Sequence, residues 1–323
     1  MATIHGKKIK LFSLSANPEL AQEIAECMGT GLSNCTITRF ADGEISVNIG
    51  ETVRGHDVFV VQPTSAPAND HYMELLIFVD ALKRASARTI NVVMPYYGYS
   101  RQDRKALARQ PISAKLMADL LQAAGITRVV CMDLHAAQIQ GFFDVPIDNF
   151  EALPIMVQYL KKKKLKDLVI VAPDHGGASR ARKFANCFNA PLAIIDKRRP
   201  APNVVEVMNI IGDVEGKNAV IVDDIIDTAG TLTEAARALV KAGVKEVYAV
   251  ATHPVLSGPA VERIQNSPIK ELITTNSIRL PEEKKIAKIK QLSIAKQISQ
   301  GLINIIDDKS VSALFQYKPE QNF

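Results

Sequence analysis

Residues 218–254 read NAVIVDDIIDTAGTLTEAARALVKAGVKEVYAVATHP and carry the clearest structural pattern in the chain. An apolar, β-branched run ends in two adjacent acids, Asp223 and Asp224, and a loop of small residues follows them. The segment LTEAARALVKAG then repeats apolar residues with helical spacing, and a second β-branched run comes after a short turn. This order predicts a parallel strand–helix–strand unit, with the acids at the carboxyl end of its first strand, where such sheets bind ligands.

The helix within this segment has sequence signals at both of its ends. Thr231 and Glu234 match a capping box, and Gly243 is placed to end the helix. We therefore expect the helix to begin directly after the loop. Its first backbone N–H groups and the positive end of its dipole would then face that loop.

The loop has the composition of a phosphate site. Small and hydroxyl-bearing residues allow a phosphate monoester to approach backbone N–H groups closely. Just upstream, Asp223 and Asp224 can accept hydrogen bonds from vicinal sugar hydroxyls or hold a hydrated Mg²⁺. Phosphate and diol recognition side by side indicate a pentose phosphate, whereas two acids alone would merely begin a loop. The predicted phosphate-binding residues are Asp227, Thr228, Ala229, Gly230 and Thr231.

The rest of the chain continues the α/β pattern. Further β-branched runs are separated by segments with helical spacing, and several are apolar at consecutive positions, as expected of strands covered on both faces. These runs lie at residues 56–61, 89–95, 127–133, 167–173 and 192–196. Residues 57–97 repeat the element order of residues 218–254, which favours an ancient duplication with a degenerate first copy. Convergence of two ordinary α/β units is the alternative.

Composition limits the classes of protein that the chain can represent. Its 323 residues are 47% hydrophobic and 23% charged, which is typical of a globular protein of about two domains. The net charge of +5 is mild, and tryptophan is absent, so we expect no nucleic-acid partner. The sequence shows neither a membrane span nor a signal-peptide pattern, so we expect a cytoplasmic protein without membrane contact.

Two other segments have a marked charge pattern. A loop of about fifteen residues, between the strand ending near Pro95 and a helix introduced by residues 111–113, is predicted to be a mobile lid, because long cationic loops in compact domains tend to be functional. A solvated basic loop is the alternative. The cations of this loop are Arg101, Arg104, Lys105 and Arg109. Residues 281–309 alternate charge with apolar spacing and predict an exposed amphipathic helix.

The motif VDDIIDTAGT (222–231) and further stretches resemble the bacterial ribose-phosphate pyrophosphokinase family, the phosphoribosyl pyrophosphate synthetases. These stretches are RFADGEISVNIGETVRG (39–55), YYGYSRQDRKALARQPISAKL (96–116), APDHGGASRARKFA (172–185) and IIDKRRPAPNVVEVMNIIGDVEGK (194–217). The resemblance implies two doubly wound, phosphoribosyltransferase-type α/β domains with mainly parallel sheets. Residues 1–149 would be the degenerate copy with the nucleotide segment and lid. Residues 150–323 would bind ribose 5-phosphate, with the last residues returning to the first domain.

The resemblance also implies roles for residues outside the phosphate motif. Lys197 and Arg199 match the transition-state cations of the family, although a surface charge run is the alternative for these residues taken alone. His135 and Asp174 match its metal ligands, with Mg²⁺ as the cofactor and a stronger imidazole bond expected for Mn²⁺. The implied ATP contacts are Phe40, Asp42, Gly43, Glu44, Arg101 and Gln102.

The implied reaction moves the pyrophosphoryl group of Mg·ATP to the C1 hydroxyl of ribose 5-phosphate, giving 5-phosphoribosyl 1-pyrophosphate and AMP for nucleotide biosynthesis. No Walker loop occurs in the sequence, so the ATP site must have another design. The family further implies a homohexamer with phosphate and ADP as effectors. The matching regulatory residues are Thr52, Arg54, Arg104, Lys105, Ser310, Val311 and Ser312. A phosphoribosyltransferase, a catalytically silent regulatory paralogue and a nucleic-acid-binding module are the alternatives.

Overall fold

The computed structural model describes residues 3–198, 207–315 and 317, and the chain divides into two compact units. Unit 1 comprises Met1–Glu151, Ser277–Arg279 and Ser293–Gln316; unit 2 comprises Ala152–Asn276, Leu280–Leu292 and Tyr317–Phe323. Each unit has its own mainly parallel sheet and its own apolar core. These features confirm the predicted α/β class.

Unit 1 combines one large sheet with a separate hairpin. Its strands are β1 (Thr3–Ile4), β2 (Lys7–Ser13), β3 (Cys35–Arg39), β4 (Ile45–Ile49), β5 (Asp57–Val61), β6 (Thr89–Met94), β7 (Arg128–Met132) and β8 (Ile147–Phe150). Its first helices are α1 (Pro18–Cys27), α2 (Ala68–Arg84) and α3 (Ser113–Ala124), and a 3₁₀ helix spans Ala137–Phe142. The sheet order is β1-β2-β5-β6-β7-β8, with β1 antiparallel to β2 and the other neighbours parallel. The antiparallel pair β3 and β4 forms the hairpin.

Unit 2 is built around a seven-stranded sheet. Its helices are α4 (Leu153–Lys162), α5 (Ala178–Phe188), α6 (Gly230–Lys241) and α7 (Ala260–Gln265). Its strands are β9 (Leu168–Ala172), β10 (Leu192–Arg198), β11 (Val207–Ile211), β12 (Asn218–Ile226), β13 (Glu246–Pro254), β14 (Ile269–Thr275) and β15 (Ile289–Leu292). The order is β11-β10-β9-β12-β13-β14-β15, with β11 antiparallel to β10 and the remaining pairs parallel.

The last α-helix in the described part of the chain, α8 (Ala295–Ile306), belongs to unit 1 and is followed by a 3₁₀ helix over Ser312–Leu314. It packs against α1 and buries Ile298, Leu302 and Ile306. The prediction of one exposed amphipathic helix over residues 281–309 is therefore wrong. Residues 282–284 form a short 3₁₀ helix, β15 follows, and α8 is a core helix whose apolar stripe is covered by the same unit that contains the start of the chain.

The predicted strand runs correspond to β5, β6, β7, β9, β10, β12 and β13, which confirms those predictions. Burial explains why these strands were recognisable. Residues 219–222 of β12 are fully buried at four consecutive positions, because helices cover both faces of a parallel sheet. The hairpin strands β3 and β4 are only partly buried and lack such a run, so the sequence did not mark them as clearly.

The two units repeat the same order of elements. In unit 1 the order is β2-α1-β3-β4-β5-α2-β6-α3-β7-β8, and in unit 2 it is β9-α5-β10-β11-β12-α6-β13-α7-β14-β15. The loop between β5 and α2 therefore corresponds to the loop between β12 and α6. Similarly, the hairpin β3–β4 corresponds to the antiparallel pair β10–β11.

The helices of the described ranges are too short or too polar to cross a bilayer. The longest among them, α2, has 17 residues and carries charged side chains along its length.

Candidate active site

The candidate site lies where β12 passes into α6. Asp223 and Asp224 are inside β12, near its carboxyl end, and Asp223 is in register with Ala251 of the neighbouring strand β13. The chain turns sharply at Ala229, whose φ of 58° is left-handed, and α6 begins at Gly230. Small residues are needed at such a turn because a larger side chain would crowd a backbone that bends this tightly.

The predicted capping box is wrong. Ala229 is the N-cap, no side chain caps the helix there, and Thr231 already lies within the first turn. The missing cap has a consequence for the site, because a capping side chain would satisfy the first N–H groups of α6. Gly243, with a φ of 85°, follows the end of α6 as the sequence predicts.

The two carboxylates differ in their surroundings. Asp224 is 3% exposed, and its Oδ1 accepts a hydrogen bond of 3.0 Å from the Arg180 guanidinium on α5. The Asp223 side chain is 27% exposed, and its Oδ1 lies 3.9 Å from the same guanidinium. Asp223 also accepts a hydrogen bond from the backbone N–H of Asp224. Asp223 is therefore the carboxylate that a ligand can reach, and Asp224 is held behind it.

Burial and the neighbouring charge shift the titration of this pair. Burial, and after it the adjacent Asp224 carboxylate, raise the pKa of Asp223 to about 7 against the opposing effect of Arg180. Near neutral pH, Asp223 is therefore close to the midpoint of its titration. A carboxylate in this state can either accept hydrogen bonds from a ligand or donate one, depending on pH.

Asp174 lies two residues after the end of β9, at the same edge of the unit 2 sheet as Asp223. Its Oδ1 accepts a 2.8 Å hydrogen bond from the Gly177 N–H, which fixes the carboxylate at the start of α5. The next residue, His175, is hydrogen-bonded through Nε2 to Asp196 at 3.0 Å. Two further acids and an imidazole therefore surround the carboxyl ends of β9 and β10.

The predicted cations are partly outside the described residues. Lys197 occupies a backbone position in β10 opposite Met208 of β11, directly after Asp196. The structure does not describe its side chain, and Arg199 lies outside the described residues. Lys197 lies near the carboxyl end of a strand, next to the Asp196–His175 pair, as expected of a residue in the candidate active site. Its role remains a prediction.

The predicted metal ligands lie in different units. His135 is exposed in the loop after β7 of unit 1, and Asp174 is exposed in unit 2. Within the described ranges, no cluster of at least three His, Cys, Asp or Glu side chains is arranged to hold a metal ion. Asp174 fits Mg²⁺ as a single oxygen ligand whose remaining shell would be substrate oxygens and water. His135 is the weaker donor for this ion.

The predicted ATP contacts at residues 40–44 lie in the turn of the β3–β4 hairpin. Phe40 is 59% exposed, an unusual position for a large aromatic ring in a globular protein. The turn is fixed by a hydrogen bond from the Gly43 N–H to the Phe40 carbonyl and by another from the Glu44 N–H to Asp42 Oδ1. A rigid turn that presents an exposed ring is suited to stacking on a purine base.

Gln102 and Arg101 lie at the root of the cationic loop between β6 and α3. The Gln102 carbonyl accepts a hydrogen bond from the Ala114 N–H, and its side chain accepts one of 2.5 Å from the Ser113 hydroxyl at the start of α3. Arg101, Arg104 and Lys105 are exposed. The root of the loop is therefore anchored to α3, while its cations project from the surface.

The predicted regulatory residues are only partly brought together. Ser310, Val311 and Ser312 line a cavity of about 440 Å³ in unit 1, next to the ion pair of Arg128 and Asp148. The Ser310 and Ser312 hydroxyls are 2.9 Å apart. The other predicted members are exposed elsewhere in unit 1 and do not line this cavity; they are Thr52, Arg54, Arg104 and Lys105.

Sequence reasoning missed the charged residues that support these sites. Arg180 lies 44 positions before Asp224, and Arg128 lies 20 positions before Asp148, so no local spacing connects them. The only signal was indirect. Arg180 lies in the first turn of a helix that begins next to Asp174, where a cation is unfavourable for the helix dipole unless it has an anionic partner.

The fold and the loop define a class: an α/β protein of the phosphoribosyltransferase type, with acids and a small-residue turn at the carboxyl edge of a parallel sheet. Residues 9–125 match the family described as the N-terminal domain of ribose phosphate pyrophosphokinase. Residues 197–316 match the phosphoribosyl synthetase-associated domain. The two matches together cover most of the chain, including both the predicted nucleotide segment and the predicted phosphate loop, residues 227–231.

Curated relatives agree with these matches. The chain is 63% identical over 309 residues to the ribose-phosphate pyrophosphokinase of Bacillus subtilis, covering 96% of this chain and 98% of the relative. It is 63% identical over 307 residues to that of Corynebacterium ammoniagenes, covering 95% and 97%. The crystal structure of the phosphoribosylpyrophosphate synthetase from Mycobacterium smegmatis superposes with a TM-score of 0.89 at 41% identity, over 94% of this chain and all of that one. The chain therefore belongs to the ribose-phosphate pyrophosphokinase family of enzymes.

Proposed function

We propose that the protein transfers the β,γ-pyrophosphoryl group of Mg·ATP to the C1 hydroxyl of ribose 5-phosphate, giving 5-phosphoribosyl 1-pyrophosphate and AMP. One observation carries this proposal: a single loop connects an accessible carboxylate, Asp223, to the start of α6 at Gly230, where no side chain caps the helix. A carboxylate accepts hydrogen bonds from two neighbouring hydroxyls, and an uncapped helix start binds a phosphate. Ribose 5-phosphate presents both groups.

In this reaction the C1 oxygen forms a bond to the β-phosphorus, and the bond from that phosphorus to the oxygen it shares with the α-phosphate breaks. AMP leaves with the bridging oxygen, and the hydroxyl proton is released. Phosphoryl-type transfer leaves little covalent work for a protein, so positioning and charge stabilisation carry the catalysis. Lys197 and Arg199 would stabilise the charge on the β-phosphoryl oxygens and on departing AMP.

The nucleotide would be held by the exposed hairpin and the loop root. Phe40 would stack on adenine, and Asp42 and Glu44 would accept hydrogen bonds from it or from the ATP ribose. Arg101 and Gln102 would contact the nucleotide from the loop. Mg²⁺, bound by Asp174 and in part by His135, would supply neutralisation of the polyphosphate charge.

The cavity in unit 1 supports the proposal of an anion effector. Serine hydroxyls and the guanidinium of Arg128 donate to phosphate oxygens, so phosphate and ADP are the effectors that the cavity suits. Asp148 disfavours an anion unless Arg128 leaves it or a cation accompanies the ligand. We propose a homohexamer on the strength of the family membership.

The decisive experiment incubates the protein with Mg²⁺, ATP and ribose 5-phosphate and separates the adenine nucleotides. We expect AMP in amounts equal to the ribose 5-phosphate consumed, because attack on the β-phosphorus expels AMP. ADP as the main product would show attack on the γ-phosphorus and would overturn the proposal. Turnover only when phosphoribosyl pyrophosphate and a nucleobase are supplied would instead identify a phosphoribosyltransferase.

A further inference from the structure

A segment on the far side of the phosphate loop holds the loop's carbonyl groups. This backing segment, residues 255–263, leads from β13 into α7. The Leu256 N–H donates a hydrogen bond of 2.9 Å to the Ile226 carbonyl, and the Ser257 N–H donates one of 2.9 Å to the Asp227 carbonyl. The backing segment therefore fixes two successive peptide groups of the loop.

A side chain completes this row of bonds. The Arg263 guanidinium, on α7, donates a hydrogen bond of 3.0 Å from Nη1 to the Thr228 carbonyl. Three successive carbonyls of the loop thus point at the backing segment, and the third of them is held by Arg263. The contact joins positions 35 residues apart, so no sequence pattern reveals it.

The direction of these carbonyls fixes the direction of the N–H groups. In a trans peptide, the carbonyl and the next N–H point to opposite sides. With the three carbonyls held by the backing segment, the N–H groups of Asp227, Thr228 and Ala229 point to the other side of the loop. That is the side on which a phosphate must lie to receive them.

We propose that Arg263 is a positioning residue for ribose 5-phosphate: it holds the Thr228 peptide so that the loop is preorganised for the 5-phosphate. This inference rests on the proposed function and deepens it. Arg263 acts through the Thr228 carbonyl, and its effect should fall on ribose 5-phosphate binding, with ATP binding and the chemical step unaffected. Gly230 belongs to the same arrangement, because a Cβ there would lie 3.3 Å from Nη1 of Arg263.

The test measures initial rates of AMP formation for the full chain, with Arg263→Ala, Arg263→Lys and the control Arg237→Ala. Arg237 is an exposed arginine on α6 with the same charge, away from the loop. We expect Arg263→Ala to raise KM for ribose 5-phosphate about tenfold, as loss of one charge-assisted hydrogen bond implies. The kcat and KM for ATP should change less than about twofold. Arg263→Lys should recover part of the loss, because it keeps the charge and one donor.

An unchanged KM for ribose 5-phosphate in Arg263→Ala would overturn the inference, and so would a fall in kcat with both KM values preserved. If Arg263→Ala does not fold, Arg263→Lys decides by the same criteria. A second readout separates this inference from the proposed function. Ribose 5-phosphate, but not ribose, should raise the Tm of the wild type, and Arg263→Ala should need about tenfold more ligand for the same rise.

Absence of turnover by the wild type would contradict the proposed function while leaving the thermal assay valid. In that assay, equal stabilisation of wild type and Arg263→Ala by ribose 5-phosphate overturns the inference, as does a wild type that the ligand does not stabilise. Inorganic phosphate at matched concentration controls for binding in the unit 1 cavity, where Arg263 plays no part.

Discussion

The loop between β5 and α2 in unit 1 and the loop between β12 and α6 in unit 2 occupy the same place in the element order, yet they use their backbone groups in opposite ways. In unit 1 the Thr64 N–H donates to the Tyr96 carbonyl, and the Gln62 N–H donates to the Val93 carbonyl. Residues 63 and 67 are prolines without an N–H. In unit 2 the backing segment donates hydrogen bonds to three successive loop carbonyls.

The side chains show the same contrast. Gln62 and Thr64 are fully buried, and Gln62 donates a 3.0 Å hydrogen bond to Glu74, which is itself 1% exposed. Glu74 also accepts bonds from the N–H and hydroxyl of Ser15. Buried side chains of unit 1 thus occupy the space at the first loop. In the loop of unit 2, Asp223 and Thr228 remain accessible. The same fold element is closed by its own hydrogen bonds in unit 1, whereas in unit 2 it leaves a carboxylate and a hydroxyl accessible, as the proposed ribose 5-phosphate site requires.

The largest expected effect concerns the antiparallel pair β10–β11, whose counterpart β3–β4 carries the exposed Phe40. Lys197, in β10, is proposed to stabilise charge in the transition state. Lys197→Ala should therefore lower kcat by about 10²- to 10³-fold, roughly 3–4 kcal/mol, with a smaller change in KM. The control is Lys241→Ala, an exposed lysine at the end of α6. Steady-state rates of AMP formation measure the effect. An unchanged kcat would contradict a catalytic role for Lys197 and favour the alternative that it is a surface charge.

The accessible acid, Asp223, should affect the binding of substrate. Asp223→Asn should raise KM for ribose 5-phosphate by about 10- to 100-fold, because hydrogen bonds to a charged group contribute about 1.5–3 kcal/mol. Titration of initial rate with ribose 5-phosphate at saturating ATP provides the measurement. A larger rise in KM for ATP than for ribose 5-phosphate would contradict the assignment of Asp223 to the sugar.

The matching change in unit 1 should do the reverse. Gln62→Ala removes one of the donors to Glu74 and the acceptor of the buried Ala16 N–H, so the free energy of unfolding should fall by about 1–3 kcal/mol. The KM for ribose 5-phosphate should not change. Urea unfolding and initial rates on the same preparation test both parts. A variant with unchanged stability and a raised KM for ribose 5-phosphate would contradict the proposed difference between the two loops.

The titration of Asp223 gives a smaller, graded effect. Its pKa is about 7 in the folded protein, so ionisation increases across the range from pH 6 to pH 8. The KM for ribose 5-phosphate should fall up to roughly tenfold over that range, since the ionised form accepts more hydrogen bonds. Asp223→Asn measured at each pH removes this component and controls for the titration of the substrate's own phosphate.

Stability should respond in the opposite direction. The folded-state pKa of Asp223 is raised above its unfolded value, so the folded state binds more protons, and the contribution of this group to stability is lost as pH rises from about 4 to 7. The wild type should therefore lose stability relative to Asp223→Asn across that window. A difference independent of pH would contradict the raised pKa.

The smallest effect is expected from Gly230→Ala. The added Cβ would lie 3.3 Å from the flexible end of Arg263 and 3.9 Å from the Thr228 hydroxyl, and alanine favours the helix, so the free energy of unfolding should change by less than about 1 kcal/mol. Gly98→Ala in unit 1 is the control, because its Cβ would overlap the backbone carbonyl of Thr64, which cannot move aside. Equal losses of stability in the two variants would show that the second loop is as tightly filled as the first.

The sequence predicted what is local in these loops. β12 was recognisable because its buried run is continuous, and the acids and small residues of the phosphate loop are adjacent in the chain. Arg180 and Arg263 were not predicted, because their partners lie 44 and 35 residues away and the bond depends on how α5 and α7 pack. The hydrogen bonds that close the first loop were not predicted either. Gln62 and Glu74 are ordinary polar residues in the sequence, and only the fold buries them together.

α8 shows the same limit at the level of the fold. Its apolar stripe was visible, but periodicity does not state which surface covers a stripe. The charged residues between 282 and 290 favoured a solvated segment. In the structure, Ile298, Leu302 and Ile306 are buried in α8, which packs against α1. The capping box failed for a related reason: the left-handed turn at Ala229 starts the helix before the residues that match the motif.

The membership of α8 in unit 1 affects the order of events during synthesis. The helix α1 is translated before unit 2, and α8, which packs against it, is translated after most of unit 2. About 140 residues separate the main part of unit 1 from Ser293, which takes roughly 7–28 seconds to translate at about 5–20 residues per second. During that interval α1 lacks the helix that packs against it, and translation of α8 supplies this part of the core of unit 1.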